Sequence, residues 1–164
     1  MKNYDLIDEA VIDADHDTVW DSLIEELRGA GRWWVPHNTF APLSGSPDRV
    51  GGTVRVTVHL RGADRTGPTL KFVSRTLVCE PGRLLGVEYV HGVFRGPSEF
   101  VLDPLDGGRR TRLGMHFRAR PHGWLKPLAR MAPIDVEHSR ATRAAFSSLA
   151  RILSEDHALP GGGR

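Results

Sequence analysis

The chain has 164 residues, 40% hydrophobic and 26% charged, with a single cysteine and a net charge of +2. These values are typical of one globular domain that is large enough to form its own core. Arginine is scattered along the chain, which gives little support for a nucleic-acid or membrane-surface partner, and the lone Cys79 excludes an intrachain disulfide. No apolar leader begins the chain and no run could span a bilayer, so we expect a cytoplasmic protein without stable membrane insertion.

The first third of the chain predicts a strand followed by two short helices. Apolar residues in 4–14 indicate the strand, after which Asp15 or Asp17 could cap a helix. That helix carries Trp20, Leu23, Ile24 and Leu27 at helical spacing. The second short element is expected at residues 32–35, followed by a loop up to Gly52.

From Thr53 onward the apolar pattern changes to a period of two, which is typical of strands. The segment 53–60 and the segment 111–118 alternate most regularly, and three further strands are expected at 70–79, 84–90 and 97–102. Turn sequences separate successive strands, so the sheet should be antiparallel.

A long amphipathic helix is predicted near the C-terminus. Apolar residues recur at three- and four-residue steps from Ile134 to Ile152, while arginines form the opposite arc. Pro127 and Pro133 interrupt the segment upstream, so we expect a helix in two pieces. Residues 1–158 should form a single domain, and residues 159–164 should be a flexible tail.

Three segments resemble those of a known superfamily. They are the strand-to-helix segment Ala10–Leu23, the turn segment Cys79–Leu85 and the glycine-containing segment Gly107–Leu113. Together with the order of elements, they resemble the START-like (SRPBCC) superfamily, and most of all its bacterial polyketide cyclase/dehydrase branch. The resemblance implies an α+β helix-grip fold. In that fold a curved antiparallel sheet of six to seven strands wraps a long C-terminal helix and encloses an apolar cavity.

In that family, cyclases hold a poly-β-ketone chain while polar groups polarise carbonyls and relay protons. Two residues are candidates for such chemistry. Arg75 would be the carbonyl polariser if Val73, Leu77 and Cys79 point inward, but it is solvated if Phe72, Ser74 and Val78 do. His138 lies on the apolar arc of the last helix, where it could relay protons or simply be a core histidine.

The candidates for ligand contact are mainly aromatic or apolar, since such side chains suit planar or lipid-like ligands. Trp34 and Trp124 could contact ligand or plug the core, His37 could border the cavity or lie on the surface, and Met115 and Met131 could be plain packing. His59 and His116 are expected on the outer faces of their strands, and Glu88 and Glu99 as outer charges. The full ligand-binding set is Trp33, Trp34, His37, Val56, Val58, Leu77, Tyr89, Phe100, Leu113, Met115, Trp124 and Met131.

Three functions remain open from the sequence. The first is a binder of a hydrophobic or aromatic small molecule, such as a lipid, quinone or polyketide-like compound. The second is a cyclase or dehydratase that acts without a cofactor, and the third is a protein-interaction module. No metal or cofactor motif is present, and the protein could be a monomer or a homodimer.

Overall fold

The computed structural model describes residues 3–158. The tail predicted at 159–164 lies outside the described residues. The described residues contain three α-helices, α1 (His16–Leu27), α2 (Leu125–Leu128) and α3 (Ile134–Ala158), and one 3-10 turn at Asp106–Gly108. The strands are β1 (Leu6–Ile12), β2 (Asn38–Ser44), β3 (Thr53–His59), β4 (Thr69–Glu80), β5 (Leu84–Gly92), β6 (Phe94–Leu105), β7 (Arg110–Phe117) and β8 (Arg120–Pro121).

The strands form one curved antiparallel sheet. Its order is β1-β7-β6-β5-β4-β3-β2, and the two-residue β8 pairs with β6. Strands β2 to β7 follow one another as neighbours, and β1 closes the far edge by pairing with β7. The expected antiparallel sheet is confirmed, but part of the segment expected as a loop before Gly52 forms a further strand, β2.

The inner face of the sheet packs against α3. Phe146 and Leu149 of that helix are 0% and 1% exposed, and they join a core that includes Phe117 of β7. The arginines of the opposite arc are exposed, as the helical periodicity predicts. The expected division into two pieces is also confirmed: α2 ends at Leu128, and α3 begins directly after Pro133.

The second short helix expected at residues 32–35 is not formed. These residues make bends and turns, and Gly29 and Gly31 before them adopt positive φ values of 100° and 62°. The backbone amides of Arg32, Trp33 and Trp34 are bonded to the Glu26 side chain, so they are not used in a helix. The turn buries both tryptophans, which are each 2% exposed.

Candidate functional site

A cavity of about 330 Å³ lies between the inner face of the sheet and the first half of α3. Its wall is contributed by α1, strands β2 to β7, the turn before β2, and the start of α3. The lining residues are Leu27, Trp34, His37, Asn38, Phe40, Val56, Val58, His59, Leu60, Leu70, Phe72, Ser74, Val87, Tyr89, Phe94, Phe100, Met115, Phe117, Ala132, Pro133, Ile134, Glu137, His138, Ala141 and Thr142. The volume is within the range of pockets that hold small organic molecules.

Aromatic rings form one end of this wall, with Trp34 at their centre. The Trp34 ring lies edge-to-face against Phe40, Phe100 and Phe146, with centroid distances of 5.4, 5.9 and 6.0 Å. Such edge-to-face pairs fix ring orientation in addition to burying apolar area. The Trp34 ring is therefore held in one orientation where it lines the cavity.

Glu26 of α1 holds the turn that carries Trp34. Its carboxylate accepts hydrogen bonds from the backbone N–H groups of Arg32 (2.8 Å), Trp33 (3.1 Å) and Trp34 (2.7 Å), and the residue is 1% exposed. A buried carboxylate is stable here because several donors replace its water. Sequence reasoning missed this residue, although Glu26 lies three residues after Leu23 on the buried side of α1.

His138 is partly buried on α3, where its ring stacks on Phe117 with a centroid distance of 4.0 Å. Burial lowers the pKa of the imidazole from its ordinary value of 6.5 to about 4, although the negative charge of Asp8 opposes the shift. The Nε2 atom lies 3.5 Å from the Thr142 hydroxyl. His138 therefore presents a neutral, weakly basic imidazole to the cavity at neutral pH.

Tyr89 supplies a second polar group that stays neutral. Burial raises the pKa of its phenol to about 12, while a hydrogen bond with Ser98 acts in the opposite direction. Two buried polar atoms of other lining residues, Trp34 Nε1 and Asn38 Oδ1, have no hydrogen-bond partner among residues 3–158. Unpaired buried polar atoms are costly.

The cavity wall, as described for residues 3–158, contains no lysine or arginine. Its one carboxylate, Glu137, is exposed and forms an ion pair with Arg140 at 3.2 Å. His59 Nε2 lies 2.8 Å from the Thr39 hydroxyl. Polar groups in the cavity are therefore mainly uncharged donors and acceptors.

The structure brings eight of the sequence-predicted residues together on the cavity wall. They are Trp34, His37, Val56, Val58, Tyr89, Phe100, Met115 and His138. Their positions agree with the prediction, whereas their roles in binding or catalysis remain predictions. Trp33 and Leu113 are buried in the packed core, at 2% and 0% exposure, and do not reach the cavity.

Four other predicted site residues lie outside the cavity. The alternation of β4 directs Phe72, Ser74 and Thr76 inward, so Arg75 is exposed on the outer face, beside Thr53 and Glu88 in the sheet register. The inward alternative for Arg75 is therefore wrong, and the exposed position avoids the cost of burying a guanidinium without a partner. Leu77 is 46% exposed, Trp124 58% and Met131 88%.

The expectation that His59 lies on the outer face of its strand is wrong, because His59 lines the cavity near the end of β3. His116 does lie on the outer face, where its ring contacts the Asp5 and Glu99 carboxylates. Glu99 also lies 4.0 Å from Arg118, as expected for a cross-strand partner of an arginine.

Four of the lining residues that sequence reasoning missed are phenylalanines. Phe40, Phe72, Phe94 and Phe117 all line the cavity. Phe117 was recognised as an apolar strand position but not as a site residue, and Phe40 was assigned to a loop. An aromatic residue on an inner strand face is the signal that could have identified them.

Within the described part of the chain, no three His, Cys, Asp or Glu side chains are grouped to hold a metal ion. None of the helices there is long and apolar enough to cross a membrane.

A curved antiparallel sheet that grips a long C-terminal helix around an apolar cavity defines the helix-grip, START-like class of proteins. The model of the family described as "Polyketide cyclase / dehydrase and lipid transport" matches residues 7–153. The chain belongs to this family, and the resemblance found in the sequence is confirmed. A search of curated protein sequences finds no match.

Several solved structures share the fold at low sequence identity. The Zhui aromatase/cyclase from Streptomyces sp. R1128 is 17% identical, with a TM-score of 0.74 and coverage of 99% of this chain and 100% of that one. A START superfamily protein from Mycobacterium smegmatis is 15% identical, with a TM-score of 0.66 and coverage of 91% and 98%. The ginseng major latex-like protein 151 from Panax ginseng is 12% identical, with a TM-score of 0.65 and coverage of 96% and 99%.

Proposed function

We propose that this protein binds a neutral hydrophobic or aromatic small molecule in its central cavity, of a lipid-like, quinone-like or polyketide-like kind. The observation that carries the proposal is the chemistry of the cavity wall. It combines aromatic rings with a few polar groups, of which Glu137 is the one carboxylate among the described residues, and these residues supply no lysine or arginine to it. The family description, which covers both polyketide cyclases and lipid transport, is consistent with a ligand of this class.

The neutrality of the ligand follows from the cost of burying charge. A carboxylate or sulfonate that enters an apolar cavity needs a cation or several donors to replace its water. His138 provides no positive charge at neutral pH, because burial lowers its pKa to about 4. A ligand with carbonyl, ether or hydroxyl groups can instead bond to the neutral imidazole, the Tyr89 phenol or the Thr142 hydroxyl.

Binding is better supported than catalysis. A cyclase needs a donor that polarises a carbonyl, and Arg75, the sequence-predicted donor, is exposed on the outer face. The proposed proton relay, His138, has a pKa near 4, whereas an efficient general base has a pKa near the working pH. A simple interaction module would not require an interior of about 330 Å³.

Fluorescence titration with N-phenyl-1-naphthylamine, a neutral apolar probe, tests the proposal. We expect saturable binding, which Ala141→Phe should weaken about tenfold or more, because the new ring occupies cavity volume. Ala144→Phe is the matched control, since Ala144 lies on the same helix but is exposed and does not line the cavity. Retained binding in Ala141→Phe, or equal loss in both variants, would refute the cavity as the binding site.

The same titration with 8-anilino-1-naphthalenesulfonate, which adds a sulfonate to the same scaffold, tests neutrality. We expect affinity lower by about tenfold or more for the anion. Equal or tighter binding of the sulfonate would contradict the preference for a neutral ligand while leaving the cavity itself intact.

A further inference from the structure

The short helix α2 and the turn that follows it carry large apolar side chains on their outer face. Trp124, Leu128 and Met131 are spaced at i, i+4 and i+7, so they share one side of the helical segment. They are 58%, 51% and 88% exposed, whereas Leu125 and Ala129 on the other side are 4% and 0% exposed. We call Trp124, Leu128 and Met131 the apolar stripe.

A basic groove lies beside this stripe. Trp124 lines it together with Lys71, Arg95 and His122. Arg120 joins the group, because it is the direct register partner of Arg95 in the β6–β8 pair, and directly opposed residues of antiparallel strands project from the same face. We call Lys71, Arg95, Arg120 and His122 the basic groove.

The lysine, arginines and histidine of this groove lack acidic partners. Some arginines of the outer surface do have acidic partners: Arg28 pairs with Asp48, Arg112 with Glu9 and Arg118 with Glu99. No carboxylate of residues 3–158 lies within ion-pair distance of Lys71, Arg95, Arg120 or His122. The Arg95 guanidinium is instead held by the carbonyls of Gly92 (2.7 Å) and Phe94 (3.1 Å). Like charges opposite each other in a sheet repel, and a bound anion would relieve that repulsion.

We propose that the apolar stripe and the basic groove together dock this protein on an anionic membrane surface. Anionic headgroups complement the groove, while tryptophan, leucine and methionine side chains enter the region between headgroups and acyl chains. Exposed Lys126 and Arg130 flank the stripe and add to the attraction. This is peripheral binding and requires no membrane-spanning segment.

Docking through the apolar stripe would bring the cavity close to the membrane. This part of the inference rests on the proposed function. Ala132, Pro133 and Ile134, which line the cavity, directly follow Met131 in the chain. The acidic residues nearest in the chain, Asp135 and Glu137, are in the first turn of α3, and Glu137 is paired with Arg140. A docked protein would therefore hold one wall of its cavity next to the bilayer, from which a hydrophobic ligand can enter.

Co-sedimentation with vesicles tests the proposal on the whole chain, without any cavity ligand. We expect binding to phosphatidylcholine vesicles that contain phosphatidylglycerol, weak binding to phosphatidylcholine alone, and loss of binding as salt increases. The variant Lys71→Ser/Arg120→Ser should reduce the partition coefficient about tenfold or more. Arg143→Ser/Arg151→Ser removes the same charge from the exposed arc of α3 and should have little effect.

The apolar contribution has its own variant and control. Trp124→Ser/Met131→Ser should weaken vesicle binding, whereas Ile7→Ser/Val50→Ser, at two other exposed apolar positions, should not. The proposal is overturned by equal binding to both vesicle types, by equal losses in the variants and their controls, or by binding to soluble heparin without binding to vesicles. Ala141→Phe, which fills the cavity, should still bind vesicles, so failure of docking and failure of ligand binding are distinguishable.

Discussion

At the scale of single residues, His138 links the cavity to pH. Burial holds its imidazole neutral in the folded protein and lowers its pKa to about 4. In the unfolded chain the same group titrates near 6.5. Between these two values the unfolded state binds more protons, so acidification favours unfolding.

We therefore expect the free energy of unfolding to fall as the pH decreases from about 6.5 to about 4, by up to about 3 kcal/mol in total. Urea denaturation at about pH 7 and about pH 5 should show roughly 2 kcal/mol of this loss. In His138→Gln the same pH change should lower the free energy of unfolding by less, because the titrating group is gone. His91→Gln, at an exposed histidine, should behave as the parent protein; an unchanged pH dependence in His138→Gln would contradict the assignment.

At the scale of elements, the connection from α1 to β2 is organised by one carboxylate. The Glu26 carboxylate accepts hydrogen bonds from three backbone N–H groups and so fixes the turn that places Trp34 on the cavity wall. A glutamine at this position would retain one acceptor oxygen and turn an amide N–H₂ toward backbone donors.

Glu26→Gln should accordingly lower the free energy of unfolding by about 1 to 3 kcal/mol, since buried donors lose their acceptor. It should also weaken binding of N-phenyl-1-naphthylamine, because Trp34 is no longer held in place. The neighbouring Glu25→Gln is the control, as Glu25 is exposed on the same helix. Thermal unfolding would check the loss of stability, and near-ultraviolet circular dichroism of the tryptophans would check the displacement of Trp34. Equal effects of the two substitutions would exclude the positioning role of Glu26.

Helices and strands whose apolar residues recur at regular spacing could be predicted from the sequence, whereas those without such spacing could not. Strands β3 and β7 and helix α3 each place apolar residues on one face, so their inner residues, such as Val56 and Met115, were identified correctly. Strand β4 has apolar residues on both faces, and a shift of one residue moves Arg75 from solvent to cavity. The edge strand β2 contains Pro42, and its residues are half-buried or exposed without alternation, so its sequence shows no strand pattern.

At the scale of the whole molecule, charges scattered in the sequence are gathered by the sheet. Lys71, Arg95 and Arg120 are far apart in the chain, and only the pairing of neighbouring strands places them in one groove. Likewise, Trp124 and Met131 were expected to contact ligand, because the sequence does not show which side of a short helix is covered. The two surfaces meet at residues 131–134, where the exposed stripe ends and the cavity wall begins.

A cavity between the sheet and α3 also couples ligand binding to the stability of the entire fold. A ligand that binds only the folded state adds about 2.7 kcal/mol when its concentration is about 100 times the dissociation constant. We therefore expect N-phenyl-1-naphthylamine to raise the urea midpoint of the parent protein and of Ala144→Phe, and to raise that of Ala141→Phe clearly less. The increase in the urea midpoint should not depend on salt, because the ligand is neutral. Vesicle binding, in contrast, should weaken as salt increases. A midpoint unchanged by saturating probe would mean that the probe binds outside the folded cavity, whatever its fluorescence shows.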